Sequence, residues 1–246
     1  MTKPPDHHDN LYAEALSKIP GFEFDAEVAQ VFEDMINRSV PGYREIISII
    51  GILSQRYAQA NSICYDLGCS LGAAILAMRA NIPYKNCKIV GVDSSLPMLT
   101  RCKNLLAQQD STIDYMLACA DIQKIRFDHA SMVILNFTLQ FIPPAGRINL
   151  LQSIYNDLKP GGVLILSEKI AFETEPQNDL INFIHYEFKK TNGYSALEIS
   201  QKRSALDNVL VPDTLAEHQA RLGKAGFKQI YIYYQNLNFM SLIAIK

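Results

Sequence analysis

The sequence predicts an α/β fold, a doubly wound and mostly parallel seven-stranded sheet with helices on both faces. Three observations carry this. Short apolar runs alternate with segments of helical period along most of the chain. The runs are rich in Val, Ile and Leu with little polar alternation, as strands buried on both faces require. A glycine-containing turn, Asp66-Leu67-Gly68-Cys69-Ser70-Leu71-Gly72, joins the first run to the helix that follows it.

The elements follow in order. Residues 1–20 are polar and dotted with proline, which predicts a loose tail. The opening MTKPPDHHDN lacks the basic flank and apolar stretch of a signal peptide, so no export is expected. Residues 21–246 are expected to form a single domain. Over 26–39, Val28, Val31, Phe32, Met35 and Ile36 recur at helical spacing, with Asp25 placed to cap the start. Val40-Pro41-Gly42 breaks that helix, and a second one runs over 43–57 with Ile46, Ile47, Ile50 and Leu53 inward. Strands are predicted at 62–67, 88–93, 113–120, 132–136 and 163–167, with helices at 73–80, 96–108 and 145–158 between them. The stretch 169–218 breaks the rhythm: it is polar, helical in pattern and without a clear strand. It reads as a helical insertion, a lid or a dimer contact, and not as a second domain. Runs at 228–235 and 239–245 end the chain as antiparallel neighbours around a short turn.

Composition narrows the function. The 246 residues are 48% hydrophobic and 20% charged, enough for one large core. A net charge of −2 argues against direct nucleic-acid binding as the main role. The five cysteines are odd in number and include no CxxC pair, so neither a disulfide framework nor a structural zinc site is expected. A reduced, cytoplasmic setting fits them. No apolar run reaches membrane-spanning length, and His129, His185 and His218 lack metal-ligand spacing.

The chemistry is expected beyond the carboxyl ends of the parallel strands. Gly68 and Gly72 would let a ligand approach the backbone there, and the free N–H groups of the next helix would hold its polar atoms; alone, the segment reads equally as a tight β–α turn with no ligand. Asp93 ends the second strand, about 21 residues after Gly72. A carboxylate there suits both hydroxyls of a ribose, although Asp93 or Ser94 could equally cap the next helix. Asp121 and Ile122, just past the third strand, suit the amino group and the ring face of an adenine; alone, Asp121 reads as a turn residue. Asn136 is a polar residue at the end of an otherwise apolar strand, and Leu158-Lys159-Pro160-Gly161-Gly162 forms a turn before the fifth. A nicotinamide-binding fingerprint would place glycine where Ser70 stands.

This ordered set resembles class I S-adenosylmethionine-dependent methyltransferases. Five longer segments resemble a narrower family, the carboxy-S-adenosyl-L-methionine synthases: Ser39-Val40-Pro41-Gly42-Tyr43; Tyr65 through Ala73; Leu135-Asn136-Phe137-Thr138-Leu139-Gln140-Phe141; Leu166-Ser167-Glu168-Lys169; and Glu198-Ile199-Ser200-Gln201-Lys202-Arg203-Ser204. The resemblance implies that S-adenosyl-L-methionine and prephenate become carboxy-S-adenosyl-L-methionine and phenylpyruvate. The product would supply a partner enzyme that carboxymethylates the wobble uridine of tRNA. It also implies a ligand set of Tyr43, Gly68, Cys69, Ser70, Asp93, Ser94, Asp121, Ile122, Asn136 and Arg203, no metal, and a homodimer. Some relatives carry Asn where this chain has Ser94, whose hydroxyl can still donate and accept. Arg203 is the expected catalytic residue: a guanidinium fork can pair the carboxylate added to the sulfonium methyl. Without the resemblance it would read as a solvated arginine beside Gln201 and Lys202. The two carboxylates of prephenate call for further polar groups, for which Arg38, Lys169, Lys202 and Tyr194 are unranked candidates. A conventional methyltransferase would share the nucleoside residues, and a non-catalytic nucleotide-binding subunit would bind without turnover.

Overall fold

In the computed structural model, which describes residues 8–207 and 209–246, seven strands form one sheet. They are β1 (Ile63–Leu67), β2 (Lys88–Asp93), β3 (Tyr115–Cys119), β4 (Ala130–Asn136), β5 (Leu158–Lys169), β6 (Gln229–Asn236) and β7 (Phe239–Ile245). Their order is β3-β2-β1-β4-β5-β7-β6. The first five pair in parallel, while β7 runs antiparallel to both β5 and β6. The helices are α1 (Ala26–Ser39), α2 (Tyr43–Tyr57), α3 (Ala73–Asn81), α4 (Leu96–Leu106), α5 (Pro144–Asp157), α6 (Glu175–Thr191), α7 (Ala196–Leu206) and α8 (Leu215–Ala225).

The side-chain period of two divides the core. From β4, Met132 and Ile134 pack with Ile46, Ile50, Ile75 and Met78 of α2 and α3. Their neighbours Val133 and Leu135 face the opposite way, onto Leu150, Leu151 and Ile154 of α5 and Leu222 of α8. Each such side chain contributes about 1.5–3 kcal/mol on full burial. Two dry faces therefore explain why the strands read as unbroken apolar runs.

Local signals set the helix starts. Asp25 accepts the Val28 N–H at 2.9 Å, as expected. The cap of α4 is Ser95, which accepts from Met98, and neither Asp93 nor Ser94. Leu158-Lys159-Pro160-Gly161-Gly162, expected as a turn, lies inside β5. Leu158 pairs with Ala130 and Val163 with Met132, so the residues between bulge out of the ladder.

Two expectations about organisation change. Within the predicted loose tail, residues 1–7 lie outside the described residues, but 8–20 are tied down. Gln201 of α7 takes the Leu16 N–H at 2.7 Å and donates to the carbonyls of Tyr12 and Glu14. Asp9 is 2% exposed and joined to Tyr194 and Lys202. Within the stretch 169–218, only α6 and α7 stand apart from the common architecture. α8 returns to the layer beside α5. Its start is tied there by Arg147, whose buried guanidinium pairs with Asp213.

Candidate active site

The sheet order reverses between β1 and β4, so the crevice opens at their carboxyl ends. There the chain leaves β1 through Gly68, at φ +74°, and enters α3 through Gly72, at φ +82°. A Cβ on Gly68 would lie 2.5 Å from Thr138 Oγ1, so only glycine lets the two turns touch. The N–H groups of Gly68 and Cys69 donate to the Val92 carbonyl. Ser70, at φ +50°, donates its N–H to Asp93 Oδ2 at 2.8 Å. Asp93 Oδ1 accepts the Ser95 N–H at 2.8 Å. Burial pushes the Asp93 carboxyl up, while the N–H bonds from Ser95 and Ser70 act against it. Each carboxylate oxygen keeps acceptor capacity beyond its one N–H. Ser94 is exposed beside it, in a cleft with Phe24 and Pro97.

The other predicted residues gather around this turn. Asn136 ends β4 with its Oδ1 buried and without a donor among the described residues. Asp66 is in the same condition at Oδ2, and burial with Asp93 nearby pushes its carboxyl up to about 7. Tyr43 opens α2, with its ring 6.4 Å from that of Phe137, and burial and Asp66 raise its hydroxyl pKa. Cys69 is buried in the core, so its thiol faces packing and not the crevice. Asp121 lies past β3, where it caps a short 3-10 turn and pairs with Lys124 at 3.4 Å. It is thus the turn residue its position suggests, and its carboxyl stays only part-buried, with Ile122 packed into the core behind it.

Glu168 is a supporting residue that the sequence alone did not single out. Its two oxygens each accept one backbone N–H, from Leu139 and Gln140, at 2.9 Å. Burial pushes this carboxyl up to about 8. The turn so held carries Thr138, which donates to the Leu67 carbonyl at 2.8 Å and packs on Gly68.

Arg203 stands apart from the Gly68 turn. It is exposed on α7, with no side-chain partner among the described residues. Its charge is felt by Lys169, at the carboxyl end of β5, and by Lys189 of α6. Burial lowers both lysines' pKa, Lys189 to about 8, and their mutual repulsion with Arg203 adds to it. Of the four second-substrate candidates, Arg38 and Tyr194 are engaged elsewhere, and Lys202 pairs with Asp9 at 3.4 Å. The Arg38 guanidinium lies 3.8 Å over the Tyr194 ring and donates to Asn192, Asp9 and Asp34. Lys169 remains, and Lys189 joins it. Lys189 had no signal of its own, because Lys189-Lys190 at the end of a polar helix reads as solvated charge. Among the described residues, no group of three His, Cys, Asp or Glu is placed to hold a metal ion, and no helix is long and apolar enough to cross a membrane.

Residues 64–162 match the family model described as a methyltransferase domain. Over the whole length the match is narrower. The chain is 54% identical over 247 residues to the carboxy-S-adenosyl-L-methionine synthase of Trichlorobacter lovleyi, covering 100% of both chains. It is 51% identical to that of Marinobacter nauticus, covering 100% of this chain and 98% of the relative. The chain belongs to the carboxy-S-adenosyl-L-methionine synthase family. Its fold is that of class I methyltransferases, as solved structures also show. Human N-acetylserotonin methyltransferase in complex with SAM superposes with a TM-score of 0.59 at 19% identity, over 90% of this chain and 55% of that one. An O-methyltransferase family protein from Burkholderia thailandensis gives 0.63 at 13%, over 90% and 60%. At the level of the family, then, this synthase is an enzyme built on a methyltransferase scaffold.

Proposed function

We propose that this synthase converts S-adenosyl-L-methionine and prephenate into carboxy-S-adenosyl-L-methionine and phenylpyruvate. The observation that carries the proposal is Arg203, a cation on α7 with no side-chain partner among the described residues, in a chain whose Lys169 and Lys189 also have no carboxylate within ion-pair distance. A sulfonium ion is itself a cation, and methyl transfer gives such a group no task. A reaction that places a carboxylate on the sulfonium methyl does. The identity to synthases over the full chain supports the same conclusion.

The residues fit the nucleoside. Asp93 is poised to accept the ribose hydroxyls beside Ser94, Asp121 the adenine amino group, and Ile122 the ring face. The N–H groups of Gly68, Cys69 and Ser70 are given to Val92 and Asp93, so this turn offers the ligand its shape and not those donors. Asn136 Oδ1 and Asp66 Oδ2 are acceptors without donors, and an α-ammonium supplies the donors they lack. In the reaction, prephenate loses carbon dioxide and hydroxide as its ring becomes aromatic. The hydroxide leaves as water with a proton from the sulfonium methyl, and the carbon dioxide becomes the carboxyl on that carbon. The protein's part is to align the two substrates, exclude water and pair the new carboxylate with Arg203. The proposal extends to a cytoplasmic homodimer, supported by the exposed Leu180 and Phe183 on α6. It also extends to a tRNA carboxymethyltransferase that consumes the product.

The test is mass spectrometry of the nucleosides formed from S-adenosyl-L-methionine and prephenate. A species heavier by one carbon dioxide, formed together with phenylpyruvate, is expected. Release of S-adenosylhomocysteine alone would point to conventional methyl transfer, and binding without turnover to a non-catalytic subunit. Arg203→Ala is expected to lower product formation by about 10–100-fold, the worth of one charge-assisted pairing, with S-adenosyl-L-methionine affinity retained. Full turnover in that variant would remove Arg203 from the mechanism.

A further inference from the structure

We propose that Lys189 of α6, with Lys169 of β5, forms the subsite that receives the carboxylates of the second substrate. This rests on the reaction proposed above and names the residues that select its dianionic substrate.

The geometry is a convergence of three elements on one edge of the sheet. Lys169 ends β5 opposite Phe239 of β7. The Phe239 ring meets that of His185 on α6, with centroids 5.0 Å apart. His185 Nε2 lies 2.8 Å from the Ser39 carbonyl, and Lys202 Nζ reaches the Ser39 hydroxyl at 3.5 Å. Lys189 sits one turn beyond His185 on α6. The chain of contacts therefore runs from β5 through β7 and α6 to α7, and it places Lys169, Lys189, Lys202 and its neighbour Arg203 in one region of the molecule.

The charges in that region do not balance. Lys202 has Asp9 at 3.4 Å. Lys169 and Lys189 have no carboxylate within ion-pair distance among the described residues, and neither has Arg203. Asp34, the other nearby acid, is taken by Arg38. His185 adds no charge, since burial, with Lys189 close by, pushes its pKa down to about 3. Burial also pushes Lys202 down to about 8. Lysine is seldom buried without a partner, because a desolvated unpaired charge is costly. A cluster of this kind, in a chain of net charge −2, is stabilised when an anion arrives. One carboxylate would occupy Arg203, as the new carboxyl does in the proposed product. A dicarboxylate needs further cations, and Lys189 and Lys169 are the unpaired ones. The Phe137, Phe188 and Phe239 rings beside them suit a substrate whose ring becomes aromatic.

The experiment uses the full-length protein and its Lys189→Gln, Lys189→Arg and Lys169→Gln variants. Prephenate binding is measured by calorimetry, and the KM for prephenate and the affinity for S-adenosyl-L-methionine are measured separately. Lys189→Gln and Lys169→Gln are each expected to weaken prephenate by about 10-fold or more, with S-adenosyl-L-methionine affinity within about twofold of the parent. Lys189→Arg is expected to recover part of the loss. Unchanged prephenate binding in both Gln variants would overturn the subsite. So would an equal loss of both substrates, because a merely structural role moves them together. If the parent binds prephenate through these lysines but yields no carboxylated nucleoside, the reaction fails and the subsite stands.

Discussion

Asp93→Ala is expected to lower the affinity for S-adenosyl-L-methionine by about 100–1000-fold. The carboxylate serves two ends of the site at once. It accepts the Ser70 N–H and the Ser95 N–H, both at 2.8 Å, and so holds the Gly68–Gly72 turn against the start of α4. Its remaining lone pairs are those proposed for the ribose. Hydrogen bonds to a charged group are worth about 1.5–3 kcal/mol each, and two ribose hydroxyls account for roughly 3–5 kcal/mol once solvent competes. One decade of affinity is about 1.4 kcal/mol, which gives the range above. Calorimetric titration measures it directly. Asp93→Asn is expected to fall between, because the amide turns a donor toward one of the two N–H groups. Affinity within threefold of the parent in Asp93→Ala would place the ribose elsewhere.

Arg147→Leu is expected to destabilise the fold by about 3–5 kcal/mol, the usual cost of breaking a buried ion pair from one side. The Arg147 side chain is fully buried. It donates to the carbonyls of Ile142 and Val211 at 2.8 Å and to that of Gln140 at 3.3 Å, besides pairing with Asp213. Leucine fills much of the space but leaves the Ile142 and Val211 carbonyls without that donor, while the Gln140 carbonyl keeps the Val211 N–H. For a chain of this size the expected loss in Tm is roughly 6–20 °C, read by thermal denaturation. The pH dependence has a definite sign. Burial opposes the charge on Asp213, but Arg221 and Arg147 outweigh it and hold the carboxyl below the usual range. The stabilisation is present above the unfolded value of 3.8 and is lost as pH falls through the lower folded one. Arg147→Leu should therefore narrow the stability difference between neutral and strongly acidic solution. A change in Tm of a degree or less would mean that Arg221 alone satisfies Asp213.

Much of the scaffold was legible because its signals are local. The helical spacing of Val28, Val31, Phe32, Met35 and Ile36 marks α1 at the bounds observed, and Val40-Pro41-Gly42 ends it. The unbroken run at the centre of β4 marks a strand buried on both faces. Gly68 and Gly72 were legible as a tight turn because both take a positive φ, which glycine favours. What failed locally was decided at a distance. Ser95, not Asp93 or Ser94, caps α4, because the Ser70 N–H across the crevice engages Asp93. The predicted tail is anchored over 8–20 because Gln201, some 185 residues away, supplies hydrogen bonds that no local pattern reveals.

The same distinction divides the site. By itself the sequence determined the sheet, the Gly68–Gly72 turn and the residue types at the strand ends, since each depends on periods of two or 3.6 and on single-residue backbone preferences. Only the tertiary structure decided which cations are free. In the sequence Arg38, Lys169 and Lys202 are unranked candidates, Arg203 stands out only through the family resemblance, and Lys189 reads as solvated charge. Folding brings Asp34 to Arg38 and Asp9 to Lys202, and leaves Lys169, Lys189 and Arg203 without a carboxylate within ion-pair distance among the described residues. Charge balance is a sum over neighbours in space, and those neighbours come from segments far apart in the chain.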